Sequence, residues 1–218
     1  MSKTYLMICG PGESGKDVFA SILKQRLPSL AYKYPTSYYC IEPFFKEIEE
    51  GLWTTEKLNE AGYSTERLRN EGDYDTEVIG YYPGQFTDKM EFYASRRTFR
   101  WIWGHWVNVY NCSSPDKIRL YRDAIEAGEQ LFVGLRKIDE YDSFRRHFST
   151  FSIWIQRDGV KYDPTQEYGA DKCDFIVQNN GTIEELRKKV NSMLNFFNSE
   201  FLKDCRVNID KMLNSIKC

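Results

Sequence analysis

Eight residues near the start of the chain, Gly10-Pro11-Gly12-Glu13-Ser14-Gly15-Lys16-Asp17, set three glycines beside a lysine and two carboxylates. Glycine lets a backbone curl until successive N–H groups point inward, which makes a concavity for an anion. A helix that starts there adds the partial positive charge of its N terminus, and a lysine adds a point charge. Phosphate groups are the ligands such a set holds. Lys16 would reach the outer phosphates of a nucleotide, with Gly10, Gly12, Glu13, Ser14, Gly15, Asp17 and Val18 lining the rest. The pattern normally closes on Ser or Thr, whose hydroxyl meets Mg²⁺. Asp17 stands there, and a carboxylate can hold the same hard cation directly or through water. The plain alternative is a glycine-rich turn capped by Asp17, with no ligand.

Phosphoryl transfer asks a protein for cations around the moving group. Arg97 and Arg100 are three apart, on one face of a helical pattern. Arg136 and Arg157 each follow a short apolar run, and a guanidinium fork suits bidentate phosphate binding. Arg96, Arg97 and Arg100 also fit a solvated face, and Arg145 and Arg146 are assigned to one. His105 and His147 have no metal-like or catalytic partners and are read as structural. Trp101, Trp103 and Trp106 read as packing. The Cys residues, 6 in all, are scattered without a C-x-x-C pair. That argues against zinc and against a disulfide scaffold, and suits a reducing cytosol.

The elements that must position these groups alternate in type. Thr4-Tyr5-Leu6-Met7-Ile8-Cys9 is an apolar run leading into the loop, and Val18, Phe19, Ile22 and Leu23 give helical spacing after it. Leu30-Ala31-Tyr32-Lys33-Tyr34 reads as a short strand ended by Pro35. Pro43 suits the first position of a helix carrying Phe44, Phe45, Ile48 and Leu52. Residues 54–89 are polar and glycine-punctuated, an insertion over the site rather than a second domain. Residues 90–110 predict one helix interrupted by Gly104. Strands are expected at 130–135, 151–155 and 174–177, with a helix at 138–148. Thr182 and Glu185 form a capping box opening a C-terminal amphipathic helix. Short apolar strands alternating with helices predict a three-layer α/β fold around a parallel sheet of five strands. Ligands in such sheets bind at the carboxyl ends of the strands. The whole chain reads as one P-loop domain: core 1–53 and 90–200, insertion 54–89, helical tail 201–218.

Composition narrows the partners. Lys+Arg 30 against Asp+Glu 32 gives a net charge of -2, so no basic footprint for nucleic acid is present. No signal peptide is evident, and no apolar run approaches the ~20 residues a membrane helix needs.

These motifs together resemble the bacteriophage deoxynucleoside monophosphate kinases, a branch of the nucleoside monophosphate kinase-like phosphate-loop proteins. Ser14-Gly15-Lys16-Asp17 is similar to that branch's Ser-Gly-Lys-Asp loop. Pro43-Phe44-Phe45-Lys46 resembles its Pro-x-Lys element, with one extra residue. Ser95-Arg96-Arg97 followed by Gly104 resembles the helix whose arginine contacts the acceptor phosphate. Arg136 with Glu140 resembles the element after the third strand. Arg157-Asp158-Gly159 resembles the start of a lid, with Glu167 further along it. The resemblance implies ATP and Mg²⁺, with Asp17 as metal ligand and Lys16, Arg136 and Arg157 as catalytic cations. It implies that Lys46, Arg97, Arg100 and Glu140 serve a small phosphate-bearing acceptor, a (deoxy)nucleoside monophosphate. It further implies a homodimer in the cytoplasm, that of the host if the chain is phage-encoded. Departures are equally specific. Gly134 stands where the family has a metal-binding Asp, His105 follows Gly104 where it has Thr, and no arginine occurs at 107–111. The eukaryotic phosphomevalonate kinases share the Ser-Gly-Lys-Asp loop and give the runner-up, a kinase of another small phosphate ester. From another class comes a nucleotide-binding protein whose catalysis is weakened at Gly134.

Overall fold

A computed structural model describes residues 3–50, 89–95, 100–160 and 166–204. In chain order the elements are β1 (Tyr5–Cys9), α1 (Lys16–Arg26), α2 (Ile41–Glu49), α3 (Lys89–Ser95), α4 (Arg100–Cys112), α5 (Arg119–Glu126), β2 (Leu131–Val133), α6 (Ile138–His147), β3 (Thr150–Gln156), β4 (Phe175–Gln178) and α7 (Ile183–Asp204). Single 3-10 turns lie at Thr36–Cys40 and Ala170–Lys172. The chain divides into two compact units, Met1–Pro35 with Ala124–Cys218, and Thr36–Asp123.

The first unit holds the sheet. Its strands run in the order β2-β1-β3-β4, every pair parallel. Parallel neighbours need crossovers, and each crossover returns the chain to start a strand at the same edge, so all carboxyl ends share the other edge. The strands alternate faces. Leu6 and Ile8 point into a core with Phe19, Ile22 and Leu23 of α1 and with Leu186, Val190 and Met193 of α7. Tyr5 points to the opposite face, where its ring lies 6.2 Å from Phe144 of α6 and 5.9 Å from Phe132 of β2. Helices therefore cover both faces, which makes the three layers expected. Met7, Ile8, Cys9 and Phe19 are 0% exposed. Each such apolar side chain contributes on the order of 1.5–3 kcal/mol by leaving water.

Four strands occur among the described residues, one fewer than expected. Residues 30–34 are irregular: the N–H groups of Ala31, Lys33 and Tyr34 go to side chains rather than to a ladder, and that of Leu30 turns back to the Leu27 carbonyl. Both carboxylate oxygens of buried Glu129 accept from the Lys33 N–H at 2.9 Å. The Ala31 N–H goes to Gln130 Oε1, and a single backbone bond, Gln130 N–H to the Ala31 carbonyl, ties the segment alongside β2.

The second unit is helical. Phe44 packs its ring 5.5 Å from Trp103 and 5.2 Å from Trp106, with Cys40, Ile41, Tyr93 and Tyr110 in the same cluster. Trp103 and Trp106 are thus core side chains, as expected. Of the helix expected over 90–110 the described residues form α3 and α4, residues 96–99 lie outside the described residues, and α4 runs through Gly104 without the expected interruption. Pro43 is the third residue of α2, still in the first turn, where a missing N–H leaves no helical bond unmade. The insertion at 54–89 falls on undescribed residues except for Lys89, and the helical tail is described only to Asp204.

Candidate functional site: a glycine loop at the end of the central strand

β1 has a neighbour on each side and ends at Cys9; the glycine loop follows it directly and α1 begins at Lys16. The loop's shape needs its glycines. A Cβ on Gly10 would sit 2.6 Å from the Ile155 carbonyl of β3, and Gly10 and Gly15 adopt φ of 137° and 91°. Glu13 also takes a left-handed φ, 61°, which a non-glycine residue adopts only where its surroundings demand it. Gly15 is the residue before α1, and no side chain caps that helix. The first N–H groups of α1 and its dipole thus open onto the loop.

Lys16 is 7% exposed and folds back across the loop, donating from Nζ to the Pro11 carbonyl at 2.8 Å. Ser14 is fully buried, and its hydroxyl has no hydrogen-bond partner in the structure. A buried hydroxyl without a partner is costly unless a ligand supplies one. Asp17 and Val18 are exposed on the first turn of α1.

The flanking strands bring the rest. Gly134 follows β2 and donates its N–H to the Ile8 carbonyl at 3.0 Å, which puts it beside the loop. A Cβ on Gly134 would lie 3.8 Å from Lys16 Cε, so the position expected to hold a metal carboxylate does face the lysine. Its φ of 90° is glycine's territory. Arg136, half-buried, lies two residues on, and its carbonyl accepts the Glu167 N–H at 2.9 Å. Glu167 caps α6: its carboxylate takes the Ile138 N–H at 3.1 Å and Lys137 Nζ at 2.6 Å. Those bonds, the Lys137 ammonium first, hold its carboxyl below the usual range. Glu140 is buried in the first turn of α6. Arg157, exposed, follows β3 at the same sheet edge.

The structure therefore gathers residues 10–18, Arg136, Glu140 and Arg157 into one unit, with Arg136 and Arg157 on loops to either side of the glycine loop. Lys46 belongs to the other unit, where it is exposed and lies 3.8 Å from Glu50. Arg97 and the side chain of Arg100 lie outside the described residues. Arg145 corrects the sequence reading. It is no solvated arginine but forks onto Asp174 with two bonds of 3.0 Å and reaches the Tyr141 hydroxyl at 2.8 Å. Three site features escaped the sequence altogether. The Tyr168 hydroxyl donates to the Leu135 carbonyl at 2.8 Å and lies 3.3 Å from the Cys9 thiol beneath the loop. A hydrogen bond with Cys173, then burial, raises the Cys9 thiol. Asn179, the residue after β4, donates to the Ser14 carbonyl.

A magnesium ion is a separate question from the phosphates. Among the described residues no three His, Cys, Asp or Glu side chains group to hold a metal. Glu13 and Asp17 are the carboxylates in the loop's own sequence, and Gly134 offers none. The described residues thus build no cage for the ion. Among the described residues no helix is long and apolar enough to cross a membrane.

No protein-family model matches the chain, and no curated protein matches it. Among solved structures the chain is similar to an unliganded sugar kinase from Janibacter sp. HTCC2649, with 10% sequence identity, a TM-score of 0.40 and coverage of 89% of this chain and 95% of that one. A likeness at that level assigns neither a shared fold nor an activity.

Proposed function

We propose that this protein is an ATP-dependent phosphotransferase that converts a (deoxy)nucleoside monophosphate to the diphosphate. One observation carries the reading: Lys16 lies across a glycine-framed loop between the central strand and a helix N terminus, with a buried, unpartnered Ser14 hydroxyl inside it. Loop amides and Lys16 would hold the outer phosphates of ATP. Arg136 and Arg157 would spread positive charge over the transferred group, since phosphoryl transfer needs positioning and charge neutralisation more than covalent chemistry. Magnesium, arriving on the nucleotide's own oxygens, would add charge neutralisation beside Asp17. The acceptor side rests on family resemblance through Lys46, Arg97, Arg100 and Glu140.

Gly134 favours a second reading, a nucleotide-binding protein with weakened catalysis. One assay separates the two. ADP release is followed with ATP, Mg²⁺ and each nucleoside monophosphate in turn. Release that depends on one or a few acceptors, and falls at least a hundredfold in a folded Lys16→Ala variant, supports the kinase. ATP binding by calorimetry without release above the no-acceptor control moves the assignment to the second reading.

A further inference from the structure

β4 ends at Gln178, and the next two residues are both asparagines, each tied to a different loop of the site. Asn179 is 6% exposed. Its N–H extends the β3–β4 ladder to the Gln156 carbonyl at 2.6 Å, and its side-chain Nδ2 donates to the Ser14 carbonyl at 2.8 Å. β3 stands between β4 and β1, so this bond reaches past a whole strand to the phosphate loop. A Cβ at Gly15 would lie 2.3 Å from Asn179 Nδ2, so the amide fills the space that glycine leaves. The peptide unit is planar and trans, with C=O and N–H pointing opposite ways. Holding the Ser14 carbonyl against Asn179 therefore turns the Gly15 N–H away from it. Asn180 acts on the other loop. Its Oδ1 accepts the Asp158 N–H at 2.8 Å while its Nδ2 donates to Asp158 Oδ2 at 2.6 Å. This reciprocal pair closes on the residue next to Arg157.

We propose that Asn179 and Asn180 are the positioning residues of this site: Asn179 sets the orientation of the phosphate loop through Ser14, and Asn180 sets the root of the Arg157 loop. One dipeptide thereby registers the arginine against the bound phosphates. The inference rests on residues 10–17 being a phosphate loop, and it assigns each asparagine a separate role.

The test is calorimetric titration of the full chain with ADP and with ATP, with folding checked by circular dichroism. Asn179→Asp keeps the shape but loses the donor, setting a carboxylate oxygen against the Ser14 carbonyl. It is expected to weaken ADP binding about tenfold or more. Asn179→Ala reads the same quantity without the added charge, should the first variant not fold. Asn180→Ala is expected to leave ADP binding within about twofold and to weaken ATP about fivefold. Asn180→Ala combined with Arg157→Ala should be no weaker for ATP than Arg157→Ala alone, because the asparagine acts through the arginine. Unchanged ADP affinity in both Asn179 variants, with binding lost in Lys16→Ala, overturns the role of Asn179 and leaves the phosphate loop standing. Additive losses in the Asn180/Arg157 pair overturn the role of Asn180. A wild-type chain that binds neither nucleotide overturns the phosphate loop and this proposal together.

Discussion

At Gly134 the backbone turns left-handed in a place where a side chain would start beside the Lys16 stem. A residue with a Cβ resists that conformation by roughly 1–2 kcal/mol. Gly134→Ala is expected to destabilise the protein by about 1 kcal/mol in urea unfolding, through the backbone alone, because the added Cβ meets only the Lys16 stem at ordinary contact distance. A fall of several kcal/mol would mean that the space is not open. Glu167 allows a second test, in pH. Its carboxyl is depressed in the folded protein by Lys137 and the Ile138 N–H. A depressed carboxyl contributes stability above its unfolded value, near pH 4.3, and that contribution is lost as pH falls through the folded value. Between about pH 6 and about pH 3 the wild type should therefore lose more stability than Glu167→Gln. Equal slopes would show that this cap does not titrate.

Helix α6 and strand β3 are joined by polar contacts as well as apolar ones. Asp174 accepts both Arg145 N–H groups, the Ser152 N–H at 2.8 Å and the Ser152 hydroxyl at 2.8 Å. The Tyr141 hydroxyl closes the group by donating to the Lys172 carbonyl at 2.6 Å. Removing one member strands the others away from water. Asp174→Ala is expected to cost about 3 kcal/mol or more, read as a lower urea midpoint with an unchanged slope. A loss below about 1 kcal/mol would show that the network is solvated. Local sequence gave no sign of it, because Arg145 and Asp174 are far apart in the chain and Arg145 sits in a charged stretch that looks like a wet helix face. The capping box was legible for the opposite reason. Thr182 and Glu185 lie within one turn, and the Glu185 N–H does meet Thr182 Oγ1 while the Thr182 N–H meets Glu185 Oε2.

Across the whole molecule, what could be read in advance was what depends on neighbours in sequence: the glycine loop after an apolar strand, the parallel α/β pattern, the amphipathic final helix. Residues 30–34 have the composition of a strand, yet Glu129, which takes their N–H groups, stands almost a hundred residues later. Asn179 and Ser14 meet only because β3 inserts between β1 and β4, an order that no local pattern encodes. The same strand order governs how the site can move. β1 pairs with β3 over its whole length and with β2 from Leu6 to Ile8, and Met7, Ile8 and Cys9 are wholly buried beneath the loop that they launch. Its amides cannot meet solvent by fraying at an edge, whereas β4 has a neighbouring strand on one side only among the described residues. In native-state deuterium exchange the N–H groups of Met7 and Ile8 should exchange only through complete unfolding, with the same free energy as the denaturant midpoint gives, while those of β4 escape through smaller openings. The loop's anchor would then be the last part of this unit to let go, and a nucleotide bound at the loop would slow exchange along β1, which opens only with the whole unit, while leaving the smaller openings of β4 as they were.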